Sequence, residues 1–237
     1  MNAPQNTYKH PDKFLVSVDC IVLGFDTNEL KLLTFKRAIS PLAGCRSLLG
    51  GFIYEDESID QAAQRVLQKL TGMESLYMEQ VGTYGNPERD PGGRVISVAY
   101  YALINMEDYD PALLETHNAT WISLSESHLL IMDHAQMVSD AMVMLRRKAA
   151  AFDVGFNLLP DKFTLTQLQA LYEALYCEEL DKRNFRKKVL SLDILNRLNE
   201  KDKLHSRKGA YFYTLMPGYV DKLRRATFSF RAVSEEE

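Results

Sequence analysis

The sequence predicts an α+β chain of two domains, a mixed α/β sandwich followed by a smaller domain of two helices and two strands. Up to residue 153, strand-like and helix-like segments alternate, which is typical of helices packed on a sheet. Residues 154–162 interrupt this periodicity with Gly155 and Pro160. We therefore place the domains at residues 1–153 and 154–237.

In the first domain, segments rich in β-branched and aromatic residues predict strands. Residues 58–71 predict a helix, because Ser58 is a good N-cap, apolar residues recur at helical spacing and Gly72 is a natural stop. A second long helix is expected over residues 134–152. The predicted strands are residues 15–25, 30–35, 95–104 and 119–124.

In the second domain, Thr164 and Gln167 form a capping box that opens a helix. Asp181 caps a second helix, whose apolar side carries Phe185 and Val189. Two strands, residues 194–198 and 210–215, then flank a basic loop that contains Lys201, Lys203, Arg207 and Lys208. Two helices at a sharp turn followed by a basic hairpin are typical of a winged helix-turn-helix.

The composition is that of an ordinary globular protein, with 46% hydrophobic and 25% charged residues among 237. The longest apolar run, residues 98–104, is too short to span a bilayer. The polar first fourteen residues lack the apolar core of a secretion signal. Three scattered cysteines without a C-x-x-C pair indicate a reduced protein without a zinc site, which we expect in the cytoplasm.

The net charge of −4 conceals a basic stretch. Residues 181–208 hold ten Lys and Arg against four Asp and Glu. Such a stretch predicts a polyanion partner, and side chains of these types on a short helix suit the major groove of double-stranded DNA. A merely solvated charged face is the alternative, and RNA or a protein partner also stays open. The predicted DNA-binding residues are Lys182, Arg183, Asn184, Arg186, Lys187 and Lys188 on the helix, and Arg207 and Lys208 on the wing.

Residues 51–73, GFIYEDESIDQAAQRVLQKLTGM, resemble the box of the Nudix hydrolase family. The box residues that match in register are Gly51, Glu57, Arg65, Leu67, Gly72 and Met73. The resemblance implies a Nudix-type α/β/α sandwich followed by a winged helix-turn-helix domain. We expect Arg65 to pair with Glu57. The acids Glu55, Asp56, Glu57 and Asp60 either bind a metal or simply favour the start of the helix.

The catalytic carboxylates of that family are missing here. Nudix hydrolysis uses three acids on one helical face to hold Mg²⁺, and the matching positions are Val66, Lys69 and Leu70. The sequence therefore predicts no metal, no cofactor and no enzymatic activity. A hydrolase with an atypical metal site is the alternative from a different functional class.

A degenerate box followed by a winged helix resembles the Nudix-related transcriptional regulators of bacteria, over nearly the whole chain. The stretches MEQVGTYG, RDPGGRVISVAYYALIN and LDKRNFRKKV are most similar to the arabinose-responsive branch of Bacteroides. The resemblance implies a homodimer, expected to repress, that leaves a palindromic operator when a sugar such as L-arabinose binds. The alternative effector is ADP-ribose, with control of NAD metabolism.

The effector site of such a regulator should offer carboxylates, amides and arginines. Asp19 interrupts an apolar strand, so it faces either a polar pocket or backbone partners. Arg89 and Asp90 could instead form a local ion pair in a loop, and His134 could simply cap or pack. Lys36, Arg37 and Arg89 could bind a diphosphate. The predicted effector-binding residues are Asp19, Arg37, Gly50, Gly51, Tyr84, Arg89, Asp90, Arg94, Tyr100 and His134.

Overall fold

A seven-stranded mixed sheet forms the first half of the chain. The computed structural model describes residues 12–27, 29–72, 76–106, 118–150, 155–203 and 209–220, with residues 112, 116 and 222. The strand order is β3-β2-β1-β6-β5, with β4 paired to β1 and β7 paired to β2. Among the strand pairs of the described residues, only β1–β6 is parallel. The strands are β1 Leu15–Phe25, β2 Leu30–Lys36, β3 Arg46–Ser47, β4 Leu49–Phe52, β5 Tyr77–Tyr84, β6 Val95–Asn105 and β7 Ala119–Ser123.

One helix covers each face of this sheet, because β1 and β6 carry apolar side chains on both faces. Helix α1, Ile59–Thr71, buries Val66 and Leu67 against one face. Helix α2, His134–Ala150, buries Met137 and Leu145 against the other. The result is the predicted α/β/α sandwich.

The predicted ends of α1 are confirmed. Ser58 Oγ accepts a hydrogen bond from the backbone N–H of Gln61, and the Gln61 side chain returns one to the Ser58 N–H. Gly72 ends the helix at φ +73°, a left-handed conformation that glycine adopts without steric cost. Helix α2 ends at Ala150, and the last two residues predicted for it lie outside the described residues.

The second domain is a winged helix. A three-stranded antiparallel sheet has the order β8-β10-β9, with β8 Phe163–Thr164, β9 Leu195–Asp202 and β10 Ala210–Leu215. Helices α3, Leu165–Tyr176, and α4, Lys182–Ser191, pack on it, and both predicted caps are present, at Thr164 and Asp181. Strand β9 is longer than predicted, so Lys201 lies in a strand and not in the loop.

The two domains share one apolar core. Phe156 and Phe163 at the start of the second domain belong to the cluster that covers the α2 side of the large sheet. Helix α2 also bonds to α3, since Arg146 Nε donates to the Leu175 carbonyl at 2.7 Å. In the part of the chain that the structure describes, no helix is long and apolar enough to cross a membrane.

Candidate functional site

A cavity of about 340 Å³ opens at one end of the large sheet, near the start of α2. It brings together seven of the ten predicted effector-binding residues from loops and strands that are distant in sequence. These are Asp19, Arg37, Gly50, Gly51, Arg89, Asp90 and His134.

The floor of the cavity is formed by the nearly buried side chains of Asp19, Arg89 and His134. Asp19 Oδ2 accepts hydrogen bonds from Ser97 Oγ at 2.5 Å and from Arg89 Nη2 at 3.4 Å. Arg89 also donates two hydrogen bonds to Asp133, from Nε to Oδ2 at 2.9 Å and from Nη2 to Oδ1 at 2.8 Å. Asp19 therefore faces a polar pocket, as one of its two predicted alternatives required.

The expected alternative of a local ion pair between Arg89 and Asp90 is wrong. The Arg89 side chain is only 2% exposed and is committed to Asp133 and Asp19, which other segments supply. Asp90 instead accepts the backbone N–H of Gly92 at 2.7 Å, a turn bond at the rim of the cavity.

His134 closes the floor from the first residue of α2. Its Nδ1 accepts the backbone N–H of Leu48 at 3.2 Å, and its Nε2 lies 3.7 Å from Asp19 Oδ1. Burial lowers the pKa of His134 below its ordinary value, against the opposing effect of Asp19 and Asp133. With Nδ1 accepting, the proton of the neutral ring is on Nε2.

The two adjacent glycines have different roles. A Cβ on Gly50 would lie 2.5 Å from Asp19 Oδ1, so only glycine leaves that carboxylate oxygen open to the cavity. A Cβ on Gly51 would lie 2.9 Å from Val66 Cγ2, so this glycine allows α1 to approach β4.

The rim of the cavity combines cations with apolar surface. Arg37 Nε donates to the carbonyls of Ile39 at 3.2 Å and Pro41 at 2.9 Å, which fixes the guanidinium beside the opening. Lys36 is exposed next to it. Ile39 and Phe52 are 57% and 45% exposed and also line the cavity.

Tyr84, Arg94 and Tyr100 do not reach this cavity, which corrects their predicted grouping. Tyr84 donates to Asp140 of α2 at 2.7 Å, and Arg94 donates to the Gly85 carbonyl at 2.9 Å. Tyr100 lies on the α1 face and donates to Asp60 at 2.5 Å. Successive residues of a strand point to opposite faces, so Tyr100 cannot share the side that Ser97 shares with Asp19.

Two partners of the floor residues, Ser97 and Asp133, were missing from the predicted set. The sequence signal for Ser97 was its hydroxyl group in an otherwise apolar strand, two residues before Ala99. Asp133 precedes α2, where an acid also favours the start of a helix. The sequence therefore could not distinguish that role from a role in the site.

The Nudix box has lost the side chains that would hold a metal. Arg65 pairs with Glu57 as predicted, with Nε to Oε2 at 2.7 Å, and also donates to the Phe52 carbonyl at 2.9 Å. At the former carboxylate positions, Val66 is buried in the apolar cluster and Lys69 is exposed. A valine and an ammonium offer Mg²⁺ no oxygen ligand, so these residues do not fit the metal.

In the winged helix, α4 presents an exposed basic face. Phe185 and Val189 are buried, and a turn of 100° per residue places Arg183 and Lys187 on the opposite side. Asn184 and Lys188 flank this face and line a hollow towards the end of α2. Lys182 is exposed at the first turn.

Arg186 is more enclosed than its neighbours. Its Nη2 donates to Thr166 Oγ1 at the start of α3, at 3.3 Å. The guanidinium thus ties the two helices together, beside the exposed face. Arg207 and Lys208, predicted for the wing, lie outside the described residues. In β9 and β10, Arg197 and Lys201 both pack over the Tyr211 ring, at 4.6 Å from its centroid.

Two family models match the chain, the NUDIX domain over residues 13–141 and the NrtR DNA-binding winged helix domain over residues 155–215. The chain is 30% identical over 203 residues to the ADPR responsive transcriptional repressor NtrR of Acinetobacter baylyi, covering 84% of this chain and 81% of that protein. It is also 30% identical over 138 residues to the ADP-ribose pyrophosphatase of Methanocaldococcus jannaschii, covering 57% and 75% of the two chains.

Solved structures agree with this assignment. Shewanella oneidensis NrtR complexed with a 27mer DNA superposes with a TM-score of 0.77 at 30% identity, covering 87% of this chain and 95% of that one. A MutT/nudix family protein from Enterococcus faecalis gives 0.67 at 20% identity, which supports the fold alone. None of these relatives supports the expected arabinose-responsive branch. The chain belongs to the NrtR-type regulators, in which a Nudix domain is joined to a DNA-binding winged helix domain.

Proposed function

We propose that this protein is a transcriptional repressor that binds operator DNA through α4 and leaves it when ADP-ribose occupies the Nudix cavity. The observation that carries the proposal is the similarity to the ADPR responsive repressor of Acinetobacter, which extends across both domains. This effector was the alternative that the sequence left open, and the relatives support it better than L-arabinose.

The two parts of the cavity suit the two parts of that ligand. Lys36 and Arg37 at the rim are placed to neutralise a diphosphate, and exposed Phe52 offers a face on which a base can stack. The floor offers a carboxylate, Asp19, and an imidazole N–H, His134, to hydroxyl groups.

Helix α2 supports a route from the effector to the DNA. Its first residue, His134, closes the cavity floor, and Arg146 near its other end holds the last turn of α3. A shift of α2 on ligand binding would therefore move the helix pair that presents Arg183 and Lys187. The ligand must bind the DNA-free arrangement more tightly for this to release the operator.

We further propose that the protein acts as a homodimer on two half-sites about one helical turn apart, as for other dimeric helix-turn-helix proteins. We propose too that it is not a hydrolase, since Val66 and Lys69 replace metal ligands. The pyrophosphatase relative makes the opposite outcome worth testing. Turnover of ADP-ribose with Mg²⁺ or Mn²⁺, abolished by Glu57→Gln, would contradict the regulator-only view.

The decisive experiment is release of the full-length protein from its own upstream DNA, measured by fluorescence anisotropy during titration with ADP-ribose. We expect release by ADP-ribose and none by L-arabinose. Arg183→Ala is the matched variant, because it should lose DNA affinity and still bind ADP-ribose. No release by either ligand would contradict the proposal.

L-arabinose remains the second candidate effector on one specific observation. The floor residues that line the cavity, Asp19, Arg89 and a neutral His134, carry no net formal charge, which suits an uncharged sugar. Release by L-arabinose alone would establish that candidate.

A further inference from the structure

We infer that the floor of the Nudix cavity is a pentose subsite, in which one sugar hydroxyl bridges Asp19 Oδ1 and His134 Nε2. This inference rests on the proposed function, because it names the part of the effector that the floor recognises. It holds for the terminal pentose of ADP-ribose and equally for a free pentose, which share this chemistry.

The hydrogen-bonding capacity of Asp19 supports the inference. Oδ2 is occupied by Ser97 and Arg89, whereas Oδ1 accepts no hydrogen bond from any residue that the structure describes. Gly50 keeps Oδ1 accessible, since any larger residue would place a Cβ 2.5 Å from it. A ligand that displaces water from this oxygen must supply a donor, because the carboxylate otherwise loses a hydrogen bond.

His134 supplies the complementary group. Its Nδ1 is committed to the Leu48 N–H, so the Nε2 proton points to the region of Asp19 Oδ1, 3.7 Å away. An acceptor and a donor at this separation match a single hydroxyl, which donates to one and accepts from the other. A phosphate oxygen can only accept, so it offers Asp19 Oδ1 no donor.

Burial explains why the subsite selects the sugar end. Asp19 and His134 are 7% and 2% exposed, so an unmatched polar group on the ligand would lose its water without a partner. The cations that suit a diphosphate, Lys36 and Arg37, are at the rim. A ligand such as ADP-ribose is therefore oriented with its terminal pentose down and its phosphates at the opening.

The test is isothermal titration calorimetry on the full chain, comparing ADP-ribose with ADP, which lacks the terminal pentose, and L-arabinose with 2-deoxy-L-ribose. The variant is Asp19→Asn. Because Ser97 and Arg89 both donate to Oδ2, the amide oxygen stays there and the NH₂ takes the place of Oδ1, which turns the acceptor into a donor. Asp56→Asn, an exposed acid in the box loop, is the matched control.

In the wild type we expect ADP-ribose to bind about tenfold or more tightly than ADP, and Asp19→Asn to remove that preference while Asp56→Asn retains it. If the natural effector is a free pentose, L-arabinose binds the wild type and Asp56→Asn and binds Asp19→Asn more weakly. When the bridging hydroxyl is the one on C2, 2-deoxy-L-ribose loses affinity for the wild type to a similar extent.

Equal affinity of the wild type for ADP-ribose and ADP, without pentose binding, would overturn the subsite even if Asp19→Asn fails to fold. A folded Asp19→Asn protein with wild-type preference would overturn it too. Ligand binding that follows these expectations without DNA release would instead overturn the proposed repressor function and leave the subsite standing.

Discussion

The Nudix cavity and helix α4 use charge in opposite ways. In the cavity floor, the Arg89 side chain is 2% exposed and is paired with two carboxylates, Asp19 and Asp133. On α4, Arg183 and Lys187 are exposed on the side opposite the buried Phe185. The difference teaches that buried, mutually paired charges fix the geometry of a small site, whereas exposed cations remain available to a polyanion.

The largest effect should come from breaking the buried pair. Arg89→Met leaves Asp19 without its cation in a water-poor site, and we expect a loss of about 3–5 kcal/mol in the free energy of unfolding. Urea denaturation measures it. Arg183→Ala, an exposed arginine, should change stability by no more than about 0.5 kcal/mol. Equal losses in both variants would remove the contrast between the two regions.

The reverse contrast should appear in DNA binding. Arg183→Ala should weaken operator binding by about 1–3 kcal/mol if this side chain contacts a base edge. Arg186→Ala should weaken it as well, but partly through the lost contact with Thr166. Lys69→Ala, an exposed lysine on α1, is the control in the same anisotropy assay. An unchanged affinity in Arg183→Ala would mean that α4 does not read the operator.

Salt dependence gives a smaller and more specific test of Lys187. If this ammonium contacts a phosphate, Lys187→Ala should lower the slope of log affinity against log salt by about 1. Affinities at four or more salt concentrations define the slope for operator and unrelated DNA. A slope identical to that of the wild type would place Lys187 outside the DNA contact.

The smallest expected effect is a pH dependence that belongs to the cavity alone. Burial lowers the pKa of His134 in the folded protein, and the positive charges of Arg89 and Arg37 lower it further. The negative charges of Asp19 and Asp133 raise it, but the net shift is downward. The unfolded imidazole titrates near its ordinary pKa of about 6.5. The stability that His134 contributes is therefore present above that pH and is lost as pH falls through the lower folded pKa.

His134→Asn should flatten this dependence, since the amide oxygen can still accept the Leu48 N–H but does not titrate. Unfolding midpoints at pH values of about 7.5 and 5.5 compare the two proteins. The same acid-induced loss in both would assign the pH dependence to other groups.

The sequence predicted the helices and the deeply buried strands well, because their information is local. The caps at Ser58, Thr164 and Asp181 are short patterns with a direct physical meaning, and all three are present. Strand β5 was not predicted, since its half-exposed residues lack a clean alternation and Gly82 lies at a register shift. Strands β3, β4 and β8 were not predicted, because segments of two to four residues are too short for their composition to indicate a strand.

The candidate site was only partly predictable, for a reason of topology. Asp19 and Arg89 stood out as charges in unusual places, but their partners come from β6 and from the residue before α2. Tyr100 was grouped with them by nearness in sequence, although the pleat of β6 sends it to the other face. Which side chains meet depends on strand pairing, and one sequence does not specify that.

Helix α2 has a thermodynamic consequence. Its 17 residues extend over about 25 Å, from His134 at the cavity to the turns that hold α3. If effector binding weakens operator affinity through this helix by some factor, operator binding must weaken effector affinity by the same factor. Protein bound to its operator would then respond only at higher effector concentrations than free protein. Each operator would thus raise the effector concentration that is needed to release the protein bound to it.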